Sequence, residues 1–310
     1  MEKRTPGVLY HYCSLPTFYN ITHDRTIWLS DISKSNDSLE LKWIKGRCQY
    51  YILKAWVDYV KAAQKLEGHA EIDFESFDQL QKTLEDFTKF ETQRCWALCL
   101  SGKKDDLGQW RGYADNGAGI SIGFKSSYFK KIMKPGKATD ITDHNTVVFE
   151  YICYDEKEVE KLFYNTCGIS SITPQMSSAE VIDILRRAVI VSLLQAPLYK
   201  SNTFADEKEW RLVFSTDMSE LMNGRTPVTG FSDFYPKHTI QYEYTMRGGE
   251  LVSHIAFGDE KMHENISEIW IGPKCKLSSK ELKLYLISTG YLKDYNDKTI
   301  EIHKSQISYR

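Results

Sequence analysis

The segment that indicates the fold most clearly is Phe204-Ala205-Asp206-Glu207-Lys208-Glu209-Trp210-Arg211-Leu212-Val213-Phe214. An acidic cluster runs through a Trp-Arg pair into a short apolar strand. Because side chains alternate across a strand, Trp210 and Leu212 are predicted to face the core, and Arg211 the opposite side together with Glu209. Carboxylates at Glu207 and Glu209, with a guanidinium beside them, are costly to bury unless they are paired or used. The segment therefore indicates either a functional site or a salt bridge at the surface.

The flanking sequence alternates between strand-like and helix-like patterns. Strands are predicted at 8–13, 26–30, 95–100, 119–124 and 147–154, after residue 209, and at 254–257 and 269–272. Helices are predicted at about 39–66, 75–92, 179–194 and 279–290, the last one capped by Ser279. This order predicts an α+β fold in one elaborated domain spanning 1–310. Its sheet is mixed or antiparallel, with helical insertions near 39–92 and 155–197.

Composition narrows the classes of protein and partner. The formal net charge of −2 gives no global attraction to nucleic acid, and the 19 tyrosines suit a cleft that binds a flat ligand. The N-terminus lacks an apolar signal segment, and no window reaches membrane-spanning length. Seven scattered cysteines do not form a disulfide pattern. We therefore expect a cytoplasmic protein with reduced thiols and no membrane partner.

Two further segments are candidates for a ligand site. The run at 108–119 holds several glycines between two predicted strands, and its small residues flank Tyr113, which is the better stacking platform. Trp110 is predicted to pack in the core. On the first strand, Tyr12 faces one side and His11 the other. An isolated histidine on a strand is more often a core residue than a functional one.

Two functional interpretations remain open from the residues. The run Asp206-Glu207-Lys208 also fits a metal-dependent nuclease, although no partner aspartate is evident on a preceding hairpin. In a non-catalytic ligand-binding or partner-binding module, Glu209 and Arg211 would form a structural ion pair. Neither a Walker A sequence nor a Rossmann glycine fingerprint is present.

Several landmarks together resemble a bacterial family known as domain of unknown function 2971 (DUF2971). They are Leu9-Tyr10-His11-Tyr12, Trp28-Leu29-Ser30, Ser35-Asn36-Asp37-Ser38-Leu39-Glu40, Leu100-Ser101, Gln109-Trp110-Arg111-Gly112-Tyr113-Ala114, Glu207-Lys208-Glu209-Trp210-Arg211 and Ile269-Trp270-Ile271-Gly272-Pro273. Where the family usually has Asn-Asp-Pro, this chain has Asn36-Asp37-Ser38, so the rigid proline turn is absent. The family name implies no activity.

The chain also resembles the His-Tyr-Glu layout of ADP-ribosyltransferases, which implies NAD as the substrate. By that resemblance His11 hydrogen-bonds a ribose hydroxyl, with Tyr12 beside it among the cofactor-binding residues, and Tyr113 stacks on the nicotinamide. Glu209, with Glu207 as the alternative, stabilises the oxocarbenium-like transition state. Arg211 contacts the pyrophosphate or pairs with Glu209. The acceptor, a protein or a nucleic acid among other candidates, is unknown, and a role as a toxin or an anti-phage effector fits such an enzyme.

Overall fold

The computed structural model describes residues 5–34, 40–68, 71–89, 93–131, 145–217, 239–258 and 261–309. The turn predicted at Asn36 and Asp37 lies outside these residues. The helices are α1 (Leu15–Asp24), α2 (Glu40–Ala63), α3 (Phe74–Lys89), α4 (Leu107–Tyr113), α5 (Ser126–Lys130), α6 (Glu156–Lys161), α7 (Ser178–Gln195) and α8 (Ser279–Ser288). None of these described helices is long and apolar enough to span a bilayer.

The strands are β1 (Val8–Cys13), β2 (Thr26–Asp31), β3 (Gln93–Ser101), β4 (Ile120–Lys125), β5 (Asn145–Tyr151), β6 (Glu209–Asp217), β7 (Thr239–Arg247), β8 (Glu250–Gly258), β9 (Ile266–Ile271) and β10 (Glu301–Lys304). They form one sheet in the order β10-β9-β4-β1-β3-β2-β8-β7, to which β6 adds on β3 and β5 on β6. β10 and β9 run parallel, and the other pairs are antiparallel. The predicted α+β class is confirmed.

The sheet branches at β3. One edge of β3 pairs with β1 through Tyr10 and Ser101, and with β2 at Ala97 and Trp96. The other edge pairs with β6 along its whole length, so that Ser101 also lies opposite Glu209. The end of β3 therefore brings β1 and the beginning of β6 together from distant parts of the chain.

The apolar side chains form one main cluster on the sheet and a second among the helices. Trp210 and Leu212 lie in the main cluster, which confirms the alternation predicted for β6. The second cluster joins the helices of the two predicted insertions, where the Trp56 ring stacks on Phe77 at 4.5 Å. Burial of these aromatic rings, together with that of the aliphatic side chains around them, stabilises the packing of the helices.

Three local features differ from the sequence prediction. The cap of α8 is Ser278, one residue before the predicted Ser279, and it forms a capping box with Glu281. β7 was not predicted, although its polar and apolar residues alternate and Gly248-Gly249, both with positive φ, form the two-residue turn that joins it to β8. β10 was not predicted because it has four residues, none of them fully buried.

Candidate functional site

A cleft opens where β1 and the beginning of β6 meet the end of β3. It encloses about 360 Å³ of space, which includes its mouth open to solvent. Five of the residues proposed from the sequence line it: His11, Tyr12, Tyr113, Glu207 and Glu209. The remaining lining residues are Tyr10, Cys99, Leu100, Ser101 and Gln109.

Glu209 is buried at the floor of this cleft and is held by two cations. Arg211 Nε donates to Glu209 Oε1 at 2.7 Å and Arg211 Nη2 to Oε2 at 3.0 Å, while Lys200 Nζ donates to Oε2 at 3.3 Å. The Arg211 guanidinium is buried behind Glu209, outside the cleft lining, and also donates to the carbonyl of Pro197. This placement favours the ion pair with Glu209 over the predicted contact between Arg211 and a pyrophosphate.

Glu207 lies on the same wall, at the end of a 3-10 helix, Asn202–Glu207. Lys200 Nζ donates to its Oε2 at 2.7 Å, and the Tyr113 hydroxyl donates to its Oε1 at 2.9 Å. Between the two glutamates, Lys208 adopts left-handed backbone angles, with φ 47° and ψ 50°. The chain turns at Lys208 from the 3-10 helix into β6, and both carboxylates reach the same ammonium.

Lys200 is the residue of this site that the sequence did not reveal. Its side chain is only 4% exposed, its backbone N–H donates to Cys153 O at 3.0 Å, and its ammonium lies 4.7 Å from the centre of the Phe204 ring. Burial lowers the pKa of Lys200, but the carboxylates of Glu209 and Glu207 outweigh it and raise that pKa overall. Lys200 follows a helix and a short 3-10 turn, and no local pattern distinguishes it from a solvated lysine.

The surroundings of Glu209 oppose one another in their effect on its charge. Burial raises the pKa of the Glu209 carboxyl to about 7, and the Lys200 ammonium opposes that rise without cancelling it. Burial, together with the Glu209 charge, also raises the pKa of the Cys99 thiol and of the Tyr154 hydroxyl, which accepts the backbone N–H of Glu209. Both of these groups are therefore neutral at pH 7, and Lys200 and Arg211 supply the positive charge beside Glu209.

His11 faces the cleft from β1. Its Nδ1 lies 3.1 Å from the backbone carbonyl of Cys99, which can only accept a hydrogen bond, so Nδ1 carries the proton. Burial lowers the pKa of His11, and the imidazole is neutral at pH 7. Its Nε2 is then an acceptor and has no hydrogen bond to another described residue. His11 thus presents an acceptor for a ligand hydroxyl.

The two tyrosines of the site differ in what they offer a ligand. The Tyr12 ring packs edge-on against Trp110 at 4.8 Å, and its hydroxyl donates to Lys103 O at 2.8 Å and accepts the N–H of Asp106 at 3.2 Å. Tyr12 is thus occupied by structural contacts. The Tyr113 side chain is 41% exposed, although its hydroxyl end lies against Glu207. Burial of that end and the Glu207 charge raise the pKa of Tyr113, so its hydroxyl remains a donor.

Helix α4 carries the exposed Tyr113 ring and is fixed at both ends. Asp106 caps its N-terminus by accepting the N–H of Gln109. Trp110 is fully buried, as predicted, and its Nε1 donates to Asp105 at 2.7 Å. The same Asp105 carboxylate accepts the hydroxyl of Ser305. The C-terminal residues thereby hold the loop that precedes Tyr113.

The described residues contain no group of three or more His, Cys, Asp or Glu side chains arranged to hold a metal ion. The space between the Glu207 and Glu209 carboxylates is filled by the Lys200 ammonium. Two carboxylates with an ammonium between them form a compact polar wall, on which a positively polarised group of a ligand can lie.

No curated protein and no solved structure matches the chain. A family model described as "Protein of unknown function (DUF2971)" matches residues 109–212, about a third of the chain. The match covers Tyr113, Lys200, Glu207 and Glu209, whereas His11 lies outside it. The predicted resemblance to this family is therefore supported over residues 109–212, which supply the carboxylate wall and the tyrosine of the cleft.

Proposed function

We propose that the chain is an NAD-dependent enzyme of the ADP-ribosyltransferase type that acts in the cleft between His11 and Glu209. The observation that carries the proposal is that His11, Tyr113 and the two glutamates, which lie far apart in the sequence, line one cleft. These are the residue types that such a reaction requires on the two sides of a nicotinamide riboside.

The chemistry follows from the charges of the wall. The bond between ribose C1 and the nicotinamide nitrogen breaks, its electron pair leaves with the neutral nicotinamide, and positive charge develops on the ribose. A carboxylate that is already fixed in a partly dry cleft stabilises this charge without reorganising. The lone pair of an acceptor then forms the new bond to C1, and the proton of the acceptor passes to a carboxylate. We assign the stabilisation of the positive ribose to Glu209 and the uptake of the proton to Glu207.

The two other groups bind and orient the substrate. His11 Nε2 accepts a hydrogen bond from a ribose hydroxyl, because its Nδ1 proton is already held by the Cys99 carbonyl. The partly exposed ring of Tyr113 offers a face on which the nicotinamide stacks. We propose a soluble, cytoplasmic enzyme whose acceptor is a protein, a nucleic acid or a small molecule, and which acts as a toxin or a defence effector.

The metal-dependent nuclease is less well supported than the transferase. Its two carboxylates would have to share a divalent cation, and the Lys200 ammonium already lies between them. The binding module is compatible with the buried Glu209–Arg211 pair, which it predicts. It gives no reason for a second carboxylate and a tyrosine to face the same cleft.

The test uses two labelled forms of NAD. Nicotinamide-labelled NAD reports bond cleavage, and adenine-labelled NAD reports transfer to an acceptor. We expect release of nicotinamide by the wild type, a loss of at least 100-fold in Glu209→Gln, and an unchanged rate in Glu301→Gln, whose carboxylate is exposed elsewhere on the surface. Absence of both nicotinamide release and NAD binding in calorimetry would refute the proposal.

A further inference from the structure

The buried Lys200 is the least expected charged group of the cleft. Burying an ammonium is unfavourable, and exchange of a buried ion pair for apolar residues is often neutral or stabilising. An ammonium with a 4% exposed side chain is therefore poorly explained by fold stability alone. Its contacts are to the two carboxylates on which the proposed reaction depends.

We propose that Lys200 is the positioning residue of the cleft: its ammonium bridges the Glu207 and Glu209 carboxylates, fixes their spacing and opposes protonation of Glu209, and so sets the lower pH limit of the site. The inference is tested in two ways. The test by enzyme activity, the activity arm, rests on the proposed function, and the test by ligand binding, the binding arm, does not.

The contacts of Lys200 differ from those of Arg211, the other cation beside Glu209. Arg211 holds Glu209 through two nitrogens from behind, whereas Lys200 bridges Glu207 and Glu209, at 2.7 and 3.3 Å. Without Lys200, the Tyr113 hydroxyl would be the one remaining hydrogen-bond partner of the Glu207 carboxylate among the described residues. The bridge therefore fixes the separation of the two carboxylates as well as their charge.

Apart from Arg211 behind Glu209, the surrounding titratable groups carry no positive charge at pH 7. The titratable groups around the carboxylates are Cys99 on β3, Tyr113 on α4, Tyr154 after β5, Arg211 on β6 and, across the cleft, His11 on β1. The thiol and the two hydroxyls are neutral at pH 7 because burial and the glutamate charges raise their pKa values. His11 is neutral because burial lowers its pKa.

The activity arm compares pH profiles of nicotinamide release. An opposite charge within about 4–6 Å lowers a carboxyl pKa by about 1–3 units, so Lys200→Met should move the acidic limb of the profile upward by about that amount. Lys200→Arg should restore the wild-type limb. Lys161→Met removes an exposed lysine that is likewise paired with a glutamate, and should leave the profile unchanged.

The binding arm uses n-propylammonium, which reproduces the atoms that Lys200→Ala removes. We expect it to raise the melting temperature of Lys200→Ala in a concentration-dependent way, because a ligand that binds only the folded state stabilises that state. Neither n-propanol with this variant nor n-propylammonium with the wild type or Lys161→Ala should do so. If Lys200→Ala folds only when n-propylammonium is present, that result also supports the proposal.

Two results would overturn the assignment. One is a Lys200→Met profile with a lower rate and an unmoved acidic limb, which is the result that a merely structural lysine gives. The other is a folded Lys200→Ala that does not respond to n-propylammonium. If the wild type releases no nicotinamide, the proposed function fails, and the binding arm still tests whether the pair of carboxylates holds an ammonium at this place.

Discussion

The Tyr113 hydroxyl donates a hydrogen bond to the Glu207 carboxylate at 2.9 Å, and this contact ties α4 to the segment that precedes β6. Two walls of the cleft that are 94 residues apart in the sequence are thereby joined. The ring and the hydroxyl of Tyr113 have separable tasks: the ring offers a surface for a ligand, and the hydroxyl orients a carboxylate.

This separation predicts different effects for two substitutions. Tyr113→Phe keeps the ring, so we expect NAD affinity to fall by less than about threefold, whereas Tyr113→Ala should weaken it about tenfold or more, since base–aromatic stacking contributes about 1–3 kcal/mol. Calorimetric titration measures both. Tyr295→Ala, which removes an exposed tyrosine elsewhere on the surface, is the control. Equal losses in Phe and Ala would contradict the stacking role.

The lowered pKa of His11 predicts that its contribution to the stability of the fold depends on pH. Because its pKa is lowered in the folded state, the unfolded chain takes up the proton first as the pH falls below about 6.5. The stability contributed by the neutral ring is thus fully present above about pH 6.5 and is lost as the pH falls towards the folded-state pKa. Each unit of that shift corresponds to about 1.4 kcal/mol.

The comparison of wild type with His11→Asn isolates this effect from the other histidines. We expect the difference in the free energy of unfolding between the two proteins to shrink between pH 7.5 and pH 5, measured by urea denaturation. A difference that stays constant across this range would show that His11 titrates normally in the folded protein.

The left-handed backbone of Lys208 predicts an unusual order of stability among its variants. With φ at 47°, a side chain with a branched Cβ is strained, whereas glycine is not. We expect Lys208→Gly to stay within about 1 kcal/mol of the wild type, and Lys208→Val to lose more than about 1 kcal/mol. Thermal unfolding measures both. A valine variant as stable as the glycine variant would show that the turn between the glutamates is unstrained.

The contacts of Asp105 indicate that Ser305 and Gln306 support the cleft. Its carboxylate accepts Trp110 Nε1, the Ser305 hydroxyl and the Gln306 N–H, at 2.7, 2.7 and 3.0 Å. Asp105→Ala leaves the buried indole N–H without its acceptor, and we expect a loss of about 1–3 kcal/mol. Asp183 is exposed and paired with Arg186, so we expect Asp183→Ala to lower the free energy of unfolding by less than about 0.5 kcal/mol. Similar losses in chemical denaturation of the two variants would contradict the role of Asp105.

The fold followed from the sequence where local patterns agree with tertiary packing. Alternation in β6 placed Trp210 in the core and Arg211 on the side of Glu209, and the structure has this arrangement. The convergence of His11 and Glu209 could not be derived from spacing, because it depends on both β1 and β6 pairing with the end of β3. The resemblance to a known layout, and no local pattern, suggested it.

Lys200 and Tyr12 show what a sequence pattern leaves out. The burial of Lys200 results from how the segment after α7 packs against β6, and its own neighbours in the sequence do not indicate that packing. Tyr12 was predicted to be a cofactor-binding residue and lines the cleft, but the contacts of its hydroxyl with Lys103 and Asp106 come from a loop that a sequence pattern does not place. Side-chain partners are decided by tertiary packing, and a single sequence reports them poorly.

The branch at β3 has a mechanical consequence for the cleft. The Glu209 wall is anchored by a ladder that runs the length of β3 and β6, while the His11 wall meets β3 through the single pair of Tyr10 and Ser101. The two carboxylates therefore lie on the wall that is more extensively paired with β3. If the width of the cleft changes when a ligand enters, we expect the change at the seam between β1 and β3, where fewer backbone hydrogen bonds would have to break.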